Sequence, residues 1–288
     1  MDFTARKVSM LPNPKPKNNR KWLWPALTLL IAASWVGNLW YYEAMQLEKP
    51  IFLKHYMVLY PNESDWVELT YVENKSRGKK VIALQIEELP DLLFRIDRHR
   101  KRYTHHALGT AYGEWRSEAG AQVEKAPIIV KEATVFYSKG PPEKVPIGEI
   151  HVVWDQREGV LETSSASGST DGGGQYSVKV TQPITLEQVD YSLNDRLGAT
   201  FELTMQGRGD PGPQLPLRLS AGDLLTFNYR WIVPDDSPAA YEVYRTRILM
   251  TYKTADGSTI HDRLPVDFNQ HLSEKQIKRL VRAGGELP

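Results

Sequence analysis

The sequence predicts a mainly β protein with an N-terminal transmembrane helix, an antiparallel β-sandwich ectodomain of immunoglobulin-like type and a short C-terminal helix. Three observations predict it. Residues 22–42 carry no formal charge, many short segments beyond residue 50 alternate apolar and polar side chains, and a helix-start signal lies at residues 272–277. Strict alternation is typical of half-buried strands, and many such segments separated by turns indicate an all-β sandwich or barrel.

The first element is the uncharged run 22–42, which is 21 residues long. As a helix it would rise about 31 Å, close to the roughly 30 Å thickness of the hydrocarbon core of a bilayer. Aromatic residues stand at both of its ends, where interfacial belts form; they are Trp22, Trp24, Trp40, Tyr41 and Tyr42. The run therefore predicts a membrane-spanning helix whose partner is the lipid bilayer.

The flanks of this run predict its orientation. Basic residues close to a span are retained on the cytoplasmic side, and six precede it: Arg6, Lys7, Lys15, Lys17, Arg20 and Lys21. Residues 1–21 are thus predicted to be a cytoplasmic basic tail, with everything after the helix extracytoplasmic. The alternative is a cleaved signal peptide, with Ala32-Ala33-Ser34 as the best cleavage candidate. The bulky Trp35 and Trp40 and the length of the run favour an uncleaved anchor.

Beyond the anchor we expect two β units. Residues 46–161 form the first and residues 176–288 the second. Between them, residues 162–175 are rich in Ser and Gly and predict a loop or linker. The second unit has the size and strand count of an immunoglobulin-like sandwich. One of its strands alternates Leu225, Phe227, Tyr229 and Trp231 with polar residues.

The C-terminal helix is predicted over residues 274–283. Ser273 and Gln276 have the spacing of a capping box, and Leu272 and Ile277 stand at the positions of a hydrophobic staple. A helix of about ten residues is not stable alone. It must therefore dock on the β units or on a partner.

Composition restricts the class of function. The chain contains no cysteine, so thiol nucleophiles and Cys-ligated zinc are ruled out, and an exported chain of this kind points to a bacterial envelope protein. Residues 1–42 hold six basic residues and one acid, a net charge of +5. The remaining 30 basic and 34 acidic residues give −4. A mildly acidic body argues against nucleic acid as a partner.

The densest group of cations is a candidate anion-binding patch. It consists of Arg95, Arg98, Arg100, Lys101 and Arg102, which together could hold an anionic wall polymer or lipid headgroups. The favoured interpretation is a solvated surface whose charges neutralise the nearby Glu87, Glu88 and Asp91, because charge runs usually mark solvated surface.

Motifs for catalysis, cofactors or metals give weak signals, and we predict no catalytic, cofactor or metal residues. His105 and His106 are adjacent, so on a strand they face opposite ways. Ser76 and Lys79 match the S-x-x-K nucleophile motif but lie in a predicted turn, without the companion motifs. The Arg-Gly-Asp tripeptide at 208–210 stands in a Gly/Pro-rich stretch, where turn residues are expected for backbone reasons.

These features lead to three hypotheses of function. The first is a non-catalytic, membrane-anchored extracytoplasmic module that binds an envelope protein or an anionic wall polymer. The second is an envelope hydrolase with an unrecognised active site. The third is the sensor subunit of a transmembrane signalling complex, whose tail of about 21 residues is too short to form a folded cytoplasmic domain.

Overall fold

The computed structural model describes residues 20–63, 66–116, 126–155, 159–169, 172–206, 214–268 and 271–285, with the backbone alone at 20–21 and 98–100. The chain divides into two compact units, Met1–Met45 and Gln46–Pro288.

The first unit contains helix α1, Arg20–Ala44, which includes the predicted span. Pro25 is the sixth residue of the helix and lies inside it, so the hydrogen bond that an N–H there would donate to the carbonyl four residues earlier is missing. The most apolar 18-residue window of its stretch Trp22–Ala44 has a mean hydropathy of 1.3, and none of that window is buried. This helix is long and apolar enough to cross a membrane, as the sequence predicted.

The second unit, Gln46–Pro288, is mainly β, and its described residues form three sheets. The small N-terminal sheet has the order β1 (Ile51–Phe52), β3 (Val67–Asn74), β6 (His106–Trp115), β5 (Leu92–Arg102). The small C-terminal sheet has the order β12 (Phe201–Gln206), β14 (Leu224–Trp231), β10 (Gly173–Val180), β9 (Leu161–Gly168).

The large sheet contains strands from both halves of this unit, where the first half is residues 46–155 and the second half is residues 159–285. Its order is β13 (Leu217–Leu219), β11 (Ile184–Tyr191), β15 (Glu242–Thr254), β2 (Lys54–Leu59), β8 (Glu143–Val152), β7 (Ile128–Tyr137), β4 (Val81–Gln85), and β16 (Thr259–Phe268) pairs with β15. Short helical turns occur at Pro61–Glu63, Asn194–Leu197 (α2), Gly198–Thr200 and Pro238–Tyr241.

Strand β2 departs from the predicted antiparallel pattern. It pairs in parallel with β15 on one side and with β8 on the other, whereas the other pairings between described strands are antiparallel. Alternation along a strand reports which face is buried and carries no information on the direction of its neighbours. The sequence pattern therefore could not show that β2 joins the two halves.

Two hydrophobic cores lie in this unit. The first packs the small N-terminal sheet against β2, β4, β7 and β8, with Tyr71, Leu59 and Ile150 fully buried. The second packs the small C-terminal sheet against β11, β15 and β16, and Phe227, Leu186 and Tyr252 are fully buried there. Both cores share the large sheet, so the two predicted β units form one compact body.

The predicted loop or linker over 162–175 is wrong, because β9 and the start of β10 occupy it. Strand β9 is an edge strand whose side chains from residue 162 onward are exposed, so its Ser/Gly composition buries nothing and its backbone ladder with β10 holds it. Gly174 is required here, since a Cβ atom would lie 2.2 Å from the Tyr229 hydroxyl oxygen. Polar composition predicted solvent exposure correctly and secondary structure incorrectly.

A buried arginine fastens the two halves to each other. Arg263 on β16 is 4% exposed, and its Nε donates to Glu63 Oε1 at 2.5 Å while Nη1 donates to Asp155 Oδ2 at 2.9 Å. Its guanidinium also lies 3.6 Å from the centre of the Tyr60 ring. One side chain of the second half thus binds three residues of the first.

The C-terminal helix is present as predicted. Helix α3 spans Glu274–Arg282, with Ser273 as N-cap and both hydrogen bonds of the capping box to Gln276. Leu272 and Ile277 of the predicted staple are both buried. Lys101 Nζ and the Tyr103 hydroxyl both donate to the Leu272 carbonyl, at 2.9 and 2.8 Å, and hold the start of the helix against the first half. The helix docks on the β body.

Candidate functional site

Two adjacent cavities form the candidate site. The first, of about 410 Å³, lies where β2 and β3 meet β15 and the end of β16. The second, of about 530 Å³, lies beside the small C-terminal sheet. Asp267, Phe268 and His271 line both cavities and form a shared wall. Both volumes fall in the range of about 300–1,000 Å³ that is typical of ligand pockets.

The first cavity contains an exposed tryptophan that is fixed in place. Trp66 is 48% exposed, and the guanidinium of Arg245 lies 5.0 Å from the centre of its ring. Arg245 is only 7% exposed. It donates from Nη1 to the Trp66 carbonyl and from Nε to Asp267 Oδ1, the latter at 2.7 Å. The ring therefore has a defined position although half of it faces solvent.

The second cavity is lined by aromatic rings and by two exposed carboxylates, Asp235 and Asp267. Trp231 is 5% exposed, and its buried indole N–H has no hydrogen-bond acceptor among the described residues. Tyr229 is half-buried beside it, and Asp235 is exposed at the rim. The protein encloses this nitrogen, so the donor does not face the cavity and only the ring of Trp231 contributes to the lining.

The predicted anion-binding patch lies on β5 and just beside the first cavity. Lys101 lines that cavity, but its ammonium is used by the Leu272 carbonyl. Arg95 and Arg102 are exposed. The side chains of Arg98 and Arg100 lie outside the described part of the structure. Anion binding by this patch stays a prediction.

A second cationic surface was missed by sequence reasoning. The exposed side of α3 presents Lys275, Lys278, Arg279 and Arg282, and within the described residues only Lys278 of these pairs with a carboxylate, Glu274 at 3.7 Å. The signal was available, because positions i, i+3, i+4 and i+7 share one helix face.

The histidines do not gather into a site in the described structure. No group of three or more His, Asp or Glu side chains with metal-binding geometry occurs among the described residues. His106 is buried and His105 half-buried, with their ring centres 6.4 Å apart. His55 is fully buried, and its Nε2 accepts from the Thr70 N–H at 2.8 Å.

Two further motifs are the S-x-x-K match at Ser76 and Lys79 and the Arg-Gly-Asp tripeptide at 208–210. Ser76 is exposed in the turn after β3, and Lys79 Nζ binds Glu143 Oε1 at 3.0 Å. Ser76 is therefore a turn residue, and Lys79 is part of a surface ion pair. The tripeptide 208–210 lies outside the described residues.

Comparison with known proteins gives no family. No protein-family description matches the chain, and no curated protein sequence matches it. One solved structure that aligns with this chain is described as "The Enterococcus faecalis MSCRAMM ACE binds its ligands by the collagen Hug Model". The alignment covers 78% of this chain and 95% of that one, at 9% identity and a TM-score of 0.20. A TM-score this low does not establish a common fold.

Proposed function

We propose that this protein is a membrane-anchored, non-catalytic binding module of the cell envelope. Helix α1 crosses the bilayer with its N-terminus in the cytoplasm, and the unit Gln46–Pro288 lies outside and binds an envelope protein or wall polymer. The observation that carries the proposal is the pair of adjacent cavities with a fixed, exposed tryptophan between two β cores.

The membrane part of the proposal is supported by the surface of α1. Large apolar side chains are exposed all along the helix, among them Trp22 at 82%, Leu29 at 73% and Trp40 at 75%. Burying apolar area is favourable by about 25 cal/mol per Å², so this helix is far more stable in lipid than in water. The basic tail before it supports the orientation.

The binding part is supported by the architecture of the β body. Two cores between packed sheets, with mostly antiparallel strands, fit the immunoglobulin-like sandwich expected from the sequence. Such scaffolds have many functions, so the assignment rests on the site and not on the fold. A rigid body holding ligand-sized cavities is suited to binding.

The test uses the full-length protein in lipid nanodiscs, exposed to extracts of the cell envelope. We expect one envelope protein or polymer, identified by mass spectrometry or sugar analysis, to be retained by the native protein and lost with Trp66→Ala. Leu224→Ala is the matched control, because Leu224 is 59% exposed and lines neither cavity. Retention that is equal for all three proteins, or no retention at all, would contradict the proposal.

A further inference from the structure

We infer that the two cavities bind a neutral glycan chain, with one sugar ring against Trp66 and the chain continuing over the shared wall into the second cavity. This inference rests on the proposed binding function and names its ligand class. It follows from three properties of the cavities: a platform for a ring, a charge balance that disfavours anions, and exposed hydrogen-bond acceptors in the second cavity.

The platform is Trp66. The apolar C–H face of a sugar ring packs well on the electron-rich face of an indole, and tryptophan offers the largest such face. Arg245, which is itself held by Asp267, contacts both the ring and the main-chain carbonyl of Trp66, so part of the freedom of this side chain is already lost before a ligand binds. An exposed ring fixed in this way is suited to stacking.

The charges of the lining residues disfavour an anionic ligand. Three carboxylates line the two cavities, Glu68, Asp235 and Asp267, against two cations, Lys101 and Arg245. Both cations are already engaged, Lys101 by the Leu272 carbonyl and Arg245 by Asp267. A phosphate-rich polymer would meet a net negative lining there, whereas a neutral chain of hydroxyl groups would not.

The second cavity adds hydrogen-bonding groups that suit hydroxyls. The exposed carboxylates of Asp235 and Asp267 line it and can accept hydrogen bonds. A sugar hydroxyl can donate to either carboxylate, so a chain of neutral hydroxyl groups suits this lining. Two cavities with one shared wall favour an extended ligand over a single sugar.

The experiment titrates the full-length protein in nanodiscs with neutral gluco-, manno-, galacto- and N-acetylglucosamine oligosaccharides, from monosaccharides to hexasaccharides, by calorimetry. We expect one series to bind more tightly as its length increases. Trp66→Ala should weaken binding of every length at least about tenfold. Asp235→Asn should weaken only the longer members, about fivefold. Leu224→Ala should bind like the native protein.

Two further arms use polyphosphate and short neutral peptides as probes. Thermal unfolding of each variant checks that it is folded, and Trp66→Phe should recover part of the lost affinity. The inference is overturned if no neutral oligosaccharide binds, if Trp66→Ala and Leu224→Ala behave alike, or if polyphosphate or peptide competes for the same residues. Envelope retention that persists in those cases would leave the binding function standing with a different ligand.

Discussion

Replacing Arg263 by alanine is expected to lower the free energy of unfolding by about 3 kcal/mol, the low end of the range for breaking a buried ion pair. The low end applies because Asp155 is 58% exposed and Glu63 21% exposed, so water screens both carboxylates once the arginine is removed. The loss should be larger than for any exposed ion pair of the body, since Arg263 itself is buried and links the two halves.

Urea denaturation of the β unit within the full-length protein measures this effect. Lys253→Ala is the matched control, because in the Lys253–Glu187 pair at 2.7 Å the two side chains are 50% and 34% exposed, and the pair should contribute less than about 1 kcal/mol. The guanidinium of Arg263 lies over Tyr60, and Arg263→Met keeps a long apolar side chain that can pack in the same place, so it should recover part of the loss. If Arg263→Ala and Lys253→Ala shift the midpoint equally, Arg263 does not fasten the two halves.

Acidification is expected to destabilise the β unit by about 3 kcal/mol through His55 alone. Burial lowers the pKa of His55 from 6.5 to about 4, because the charged ring would lose its hydration. The ring is neutral in the folded protein, with Nε2 accepting from Thr70 N–H and Nδ1 donating to the Ile147 carbonyl at 3.2 Å. Below pH 6.5 the unfolded chain binds a proton that the folded chain does not.

The sign of this effect follows from the two pKa values. The contribution of neutral His55 to the stability of the β unit is fully present above pH 6.5. It decreases as the pH falls below 6.5 and is lost near pH 4. His55→Gln should lower stability at neutral pH but remove this part of the pH dependence between about pH 7 and pH 4.5. The control is His261→Gln, since His261 is exposed. Equal pH slopes for native protein and His55→Gln would contradict the assignment.

Local patterns predicted the local elements well. The alternation of Leu225, Phe227 and Trp231 corresponds to a strand with these three side chains buried. The capping box at Ser273 marks the helix start, because the signal is contained within four residues. The apolar run 22–42 corresponds to α1, because the absence of charge along a continuous stretch is also a local signal.

Features that depend on distant residues were not predictable from the sequence. The first cavity joins Trp66 to Arg245 across 179 positions, and Arg263 binds Glu63 across 200. No periodicity reports such contacts, because each strand pattern is satisfied by any partner of matching burial. The parallel pairing of β2 was missed for the same reason. The ladder of β9 with β10 is local, and it was missed because the Ser/Gly composition of β9 does not indicate a strand.

Cysteine labelling in cells tests the extracytoplasmic location of the β body most directly, because the chain has no native cysteine. Ser164 is exposed on the edge strand β9, and Ser9 stands in the basic tail. In intact wall-stripped cells, a membrane-impermeant maleimide should label Ser164→Cys at once and Ser9→Cys only after lysis. Labelling of Ser164→Cys only after lysis would place the β body in the cytoplasm and contradict the proposed function.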